Sequence, residues 1–136
     1  DHAAMLERIQ NTLFDVGADL CVRETADGRV RLRLTMEAVA ALEAVMEGLN
    51  ARLPPLISFV LPGGSAAAAA VHLARAITRR AERSAMAAAA DVALNPQALA
   101  YLNRLSDLLF VLARVLNRLH GGDDVYWKSD RLKRAE

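Results

Sequence analysis

Two arginines in the middle of this chain could grip an anion, with a histidine and a glutamate beside them. His72, Arg75, Arg79 and Glu82 follow one another at helical spacing, and at 3.6 residues per turn the last three fall within about one sixth of a helix circumference, with His72 beside them. Two arginines at i, i+4 repel by a few tenths of a kcal/mol on an isolated helix. An anion held between them would turn that cost into binding, because arginine offers a planar fork to phosphate oxygens. A solvated face with weak surface pairs, worth ~0–1 kcal/mol, explains the same spacing. A second polar stripe tips the balance towards a polyanion site. Asn103, Asp107, Phe110 and Arg114 recur at i, i+4, i+7, i+11 on an otherwise apolar segment. Buried, such groups need partners, and the arginines at 75–83 are the natural ones, with Asp107 pairing to Arg79, Arg80 or Arg104. For Asp107 and Arg114 a structural polar network is the better reading. For Asn103, an amide facing an arginine cluster suits recognition of a nucleotide or its phosphates.

The elements that must position these residues are helical. The chain has 136 residues, enough for one domain with a single core; it is 54% hydrophobic, with 4% aromatic residues and 7 glycines, the profile of a helical bundle. A net charge of +1 supplies no global field for nucleic acid or an acidic membrane, so anion specificity must be local. The single cysteine, Cys21, excludes an internal disulfide and fits a reducing compartment. The longest apolar run, Ala66 to Ala74, is Ala-rich and contains His72, too weak to span a bilayer. A soluble, cytoplasmic protein is expected.

Leu6, Ile9, Leu13, Val16 and Leu20 predict a first helix over residues 3–21. Asp27-Gly28 signals a turn, and Arg29 to Leu34 alternates like a strand without a partner, so it reads as an extended connector. Thr35 is an N-cap candidate for a second helix carrying Val39, Leu42, Met46, Leu49 and Leu53, which Pro54-Pro55 ends. Leu56–Leu61 is an apolar extended run that must be covered. Pro62-Gly63-Gly64-Ser65 turns the chain, with Ser65 capping a third helix to about Ala90. Its Ala-rich first half can lie close against a neighbour. Two glycines before a helix can cradle an anion, but without a correctly placed Lys this is no P-loop. Asn95-Pro96 starts a fourth helix that ends near Leu119 before Gly121-Gly122. Being apolar around most of its circumference, it is the central helix. Tyr126 and Trp127 should dock back on the bundle, and the last residues should fray.

Longer motifs carry a resemblance. Ile9-Gln10-Asn11, Leu13-Phe14, Gly17-Ala18-Asp19-Leu20, Leu53-Pro54-Pro55, Phe59 through Ser65, His72 through Arg75, Arg79 through Arg83, and Tyr101 through Asp107 with Ala113-Arg114 together resemble the ATP:cob(I)alamin adenosyltransferases of the propanediol-utilisation (PduO) type, over nearly the whole chain up to Trp127. The resemblance implies an all-α helical bundle, four main helices here and five in the complete family fold, assembled as a homotrimer with active sites between subunits. It implies one bundle over residues 1–127 and a charged tail over 128–136. The implied reaction transfers the 5′-deoxyadenosyl group of ATP to cob(I)alamin and releases triphosphate, with Mg²⁺ bound through the phosphates and no metal ligand from this chain.

Carried over by position, Phe59 resembles the aromatic residue under the corrin that displaces the lower axial ligand. Arg75 resembles an arginine paired with a neighbouring subunit's aspartate, and Arg79 a triphosphate contact. Arg80, Glu82 and Asn103 match further ATP-binding positions. His72 is read first as a packing residue. The family's Gly/Thr-rich phosphate loop and the first helix with its aspartate are not in this sequence, so this polypeptide alone is expected to bind ATP poorly. An alternative from another class is a cobalamin-binding or delivery module for a cobalamin-dependent mutase; a reductase is a further possible partner, and nucleic acid and membrane are not. A plain helical scaffold is the third reading.

Overall fold

The computed structural model describes residues 2–22 and 29–129. It contains four helices: α1 (His2–Leu20), α2 (Met36–Asn50), α3 (Ala66–Ala88) and α4 (Pro96–Leu119). The Asp27-Gly28 turn and the end of the charged tail lie outside the described residues.

Helix α4 is the axis of the bundle. It packs against α3 along one flank and against α2 along another, with α1 touching it more lightly. Leu105, Leu108 and Leu112 are shielded from solvent, and Ala113 lets a neighbour approach without a void. Its start follows from Asn95, whose side-chain oxygen accepts the Gln97 amide at 3.0 Å, and from Pro96 in the first turn. Its end is glycine-dependent, because Gly121 sits at φ +75° and the Gly122 amide returns to the Asn117 carbonyl at 3.0 Å.

Ser65 caps α3 as its position in the turn suggests, accepting the Ala68 amide at 3.1 Å. Thr35 holds the N-cap position of α2 with extended backbone but makes no side-chain cap bond. The alternating stretch 29–35 has no regular structure and is the extended connector its lack of a partner strand implies. Helix α1 buries Met5, Ile9, Val16 and Asp19, whereas Leu13 is 37% exposed and Phe14 83%.

Asp19 is the polar hinge between α1 and the rest. Its carboxylate accepts from the Arg33 guanidinium at 2.6 Å, the Leu34 amide at 2.7 Å and the Asn95 amide at 2.7 Å. Burial pushes its pKa up, but these three donors outweigh burial and hold it below its ordinary value. Asn95 also donates to the Leu34 carbonyl at 2.9 Å, so one amide starts α4 and fastens the connector.

One expectation is corrected. The apolar run from Leu56 to Leu61 is not covered by the other described residues: Ile57 is 81% exposed and Phe59 78%. The tail satisfies the edge of this run through backbone bonds, which fix its main chain while its side chains project off the bundle.

Candidate functional site

The α3–α4 flank gathers the residues singled out by type and spacing. Because the two helices run antiparallel, the order along α3 meets the reverse order along α4. At one end the Asn103 amide donates to the Glu82 carboxylate at 2.9 Å. At the other, the Arg75 guanidinium lies 5.1 Å from the centre of the Phe110 ring, a cation–π distance. His72 meets the same ring edge-on at 6.4 Å. Arg79 lies between these ends on the same face of α3 and is exposed, as is Arg80.

The electrostatics of this flank are unbalanced towards positive charge. Burial lowers the pKa of Arg75, Arg79 lowers it further, and Asp107 only partly opposes them. The buried Arg75 Nε has no hydrogen-bond partner among the described residues. A half-buried guanidinium beside a second arginine concentrates positive charge on this face. His72 is buried at 5% exposure, and its pKa is pushed down by burial first and by Arg75 next, with Asp124 opposing. Its Nε2 has no hydrogen-bond partner among the described residues. The imidazole packs on Phe110, as a packing residue should.

The polar stripe on α4 divides. Of Asn103, Asp107, Phe110 and Arg114, only Arg114 is buried, because only that end of the flank is roofed by the 54–65 segment and the tail. Asp107 pairs along its own helix with Arg104 at 3.4 Å and not with the arginines of α3. Asn103 faces Glu82 where an arginine was expected. Arg114 finds its partners outside α3 altogether: the Asp124 carboxylate at 2.8 Å and the Pro54 carbonyl at 2.8 Å. Asp107 and Arg114 therefore belong to two separate polar arrangements, not one network.

Phe59 stands on the roof of this flank. Val60 and Tyr126 form an antiparallel bridge, with the Leu61 amide donating to the Val125 carbonyl at 2.7 Å and the Trp127 amide to the Phe59 carbonyl at 2.8 Å. The turn that follows is pinned to α4 by Asn117, which accepts the Ser65 amide at 2.8 Å and donates to the Gly63 carbonyl at 3.2 Å. Gly64 has φ +100°, and a Cβ there would overlap the Asn117 carboxamide. The two glycines are thus explained by a turn against a buried amide.

Sequence reasoning missed Asp19, Asn117 and Asp124. For two of them a signal existed. Asp19 continues the buried spacing of Ile9 and Val16, and an acid on an apolar stripe demands partners. Asn117 stands three residues after Arg114 and prolongs the polar stripe. Asp124 had none, because its burial depends on where the tail lies.

A cavity of about 170 Å³ between α1, α2 and α4, lined by residues such as Ile9, Leu42, Tyr101 and Leu108, opens on the opposite face of α4 from Asn103 and Phe110. It belongs to core packing and not to this site.

Comparison with known proteins covers the part of the chain that holds this flank. The family profile described as cobalamin adenosyltransferase matches residues 1–116. The chain is 48% identical over 131 residues to a cobalamin adenosyltransferase of Cupriavidus metallidurans, covering 96% of this chain and 68% of that protein. It is 47% identical to a corrinoid adenosyltransferase of Mycobacterium leprae, covering 91% of this chain and 66% of the relative, so it spans about two thirds of the length of these relatives. Among solved structures, a phenylalanine-to-alanine variant of the PduO-type ATP:corrinoid adenosyltransferase of Lactobacillus reuteri, complexed with cobalamin and ATP, superimposes with a TM-score of 0.86 at 35% identity. That match covers 93% of this chain and 70% of the other.

Proposed function

Because this chain belongs to the cobalamin adenosyltransferase family, we propose that it transfers the 5′-deoxyadenosyl group of ATP to cob(I)alamin, forming adenosylcobalamin and releasing triphosphate. The electron pair on Co(I) forms the bond to the 5′ carbon, and the carbon–oxygen bond to the triphosphate breaks with its electrons on the departing oxygen. No proton need be taken from either partner, so no general base is required. The task for the protein is to hold two substrates in line and to stabilise negative charge growing on the leaving group.

The single observation that carries this reading is the α3–α4 flank, along which Arg75, Arg79, Glu82 and Asn103 line one side on a chain of this family. Arg79 takes the triphosphate and concentrates positive charge at the leaving oxygens. Arg75, half-buried and held over Phe110, meets a carboxylate of a neighbouring subunit. Glu82 fixes the Asn103 amide, and Arg80 with these two completes the nucleotide contacts. Mg²⁺ enters on the phosphates, with no residue of this chain assigned to it. Phe59, projecting from a clamped backbone, faces the corrin and excludes its lower axial ligand, which makes the Co(II) centre easier to reduce.

The active assembly is a homotrimer with its sites between subunits. Supporting this, Phe14 is 83% exposed, Leu73 63% and Ile77 49% on the outer faces of α1 and α3, apolar surface of the kind that marks an interface. No helix among the described residues is long and apolar enough to cross a membrane, and the protein works in the cytoplasm, where a reductase or a cobalamin-dependent mutase is its natural partner.

An anaerobic assay with reduced cobalamin, ATP and Mg²⁺ tests the reading. Adenosylcobalamin formation, followed by its absorption, is the expected result. Spectral binding of cobalamin without turnover would instead identify a delivery module, and no interaction would refute both.

A further inference from the structure

Phe59 and Trp127 lie 68 residues apart in sequence, yet their rings meet edge-on, with centroids 6.2 Å apart and planes at 74°. This is a favoured geometry for an aromatic pair. The pairing of their backbones does not need either ring. It is made by the Trp127 amide to the Phe59 carbonyl, the Leu61 amide to the Val125 carbonyl, and the Ser58 hydroxyl to the Trp127 carbonyl at 3.2 Å. One guanidinium secures both segments, since Arg114 binds Pro54 upstream of Phe59 and Asp124 upstream of Trp127. The main chain at Phe59 is therefore held independently of the indole.

The ring of Phe59 is a different matter. At 78% exposure it lacks the enclosing core contacts that lock a buried side chain into one rotamer. Among the described residues, Trp127 is the ring that stands against it, and the indole is itself 41% exposed, so the pair forms an aromatic ledge open to a large planar ligand.

We propose that Trp127 is a positioning residue for Phe59: the indole, carried in by the tail segment, holds the phenyl ring in one orientation towards the lower face of the corrin. This rests on the reading of Phe59 as the corrin-facing residue. Ordering the ring before the substrate arrives removes an entropic cost that binding would otherwise meet.

The test uses the full chain with cob(II)alamin and ATP under anaerobic conditions. Electron paramagnetic resonance and absorption read the fraction of four-coordinate cobalt, and the transfer assay reads kcat and the KM for ATP. Phe59→Ala should abolish the four-coordinate signal. Trp127→Ala should lower that fraction and kcat together by roughly fivefold, the order expected from losing one aromatic pair, with the KM for ATP and the thermal midpoint little changed. Trp127→Phe should recover most of the loss and Trp127→Leu should not, because leucine fills space beside the bridge without supplying a ring.

If Phe59→Ala loses the signal while Trp127→Ala keeps the wild-type fraction and kcat, the inference fails and the reading of Phe59 stands. Equal losses in Trp127→Ala and Trp127→Phe also overturn it. A wild-type four-coordinate signal that survives Phe59→Ala overturns the reading of Phe59 and this inference with it.

Discussion

Asp124→Asn should be among the most destabilising near-isosteric changes in the chain. The Arg114 and Asp124 side chains are 3% and 2% exposed and meet at 2.8 Å, so both charges have been taken out of water to form the pair. At an effective permittivity near 20, two unit charges about 4 Å apart attract by about 4 kcal/mol. Removing one member of a buried pair typically costs ~3–5 kcal/mol, because the other charge is left without compensation. Arg114 keeps one bond, to the Pro54 carbonyl at 2.8 Å, and asparagine keeps the shape of aspartate, so the lower part of that range, about 3 kcal/mol, is expected. Against a total stability on the order of 5–15 kcal/mol this is a large fraction. For a chain of this size it corresponds to a fall in midpoint of roughly 10 °C.

Urea unfolding at fixed protomer concentration measures it, and an unchanged m-value would show that the unfolded state is not altered. The double variant Arg114→Met with Asp124→Leu removes both charges, so it should cost well under the sum of the two single variants, with a coupling on the order of 2 kcal/mol or more. A loss below about 1 kcal/mol for Asp124→Asn, or strict additivity in the cycle, would mean that the pair behaves as a solvated surface bridge. The account of the tail as a segment anchored by a buried charge would then be wrong.

Gly64→Ala should cost roughly 2–4 kcal/mol in unfolding experiments, from a positive φ and overlap with Asn117. Gly63→Ala, whose Cβ would meet Val125 at an ordinary 3.8 Å, should change stability little, and equal costs would refute the distinction. Arg79→Ala should lower kcat/KM for ATP by roughly 10- to 100-fold, the value of a charge-assisted bond, while the unfolding midpoint barely moves, as expected for an exposed side chain. His72 has a pKa held below its ordinary 6.5 by burial and Arg75. The unfolded chain therefore takes up a proton that the folded protein resists, and stability should fall as pH drops below about 6.5. His72→Gln should remove that part of the slope in midpoints recorded from pH 7.5 to 5.5, and an unchanged slope would place the titration elsewhere.

Much of the architecture is local chemistry that the chain carries in its order. Asn95-Pro96 starts α4 wherever the bundle places it, and Ser65 caps α3 because its hydroxyl reaches an amide three residues on. The near-continuous apolar circumference of α4 can be satisfied only at the centre of the bundle. The arginine face of α3 is equally a matter of spacing, since residues 75, 79 and 82 share one side of any helix.

What spacing could not reveal is the partner of each polar group, because a hydrogen bond is chosen by distance in space and not by position along the chain. Asp107 could have met any of three arginines, and the relative placement of α3 and α4 gave it Arg104 on its own helix. Arg114 carried a buried charge with no acid in sequence view. Only the return of the tail brought Asp124 to it and Trp127 to Phe59. The sequence alone determined which faces are apolar, which are cationic and where α3 and α4 begin, whereas α2 stops at Asn50, short of the Leu53 that the Pro54-Pro55 signal placed on it. The tertiary structure alone decided which charges are paired and which ring is held, because those depend on the path of segments that have no regular structure of their own.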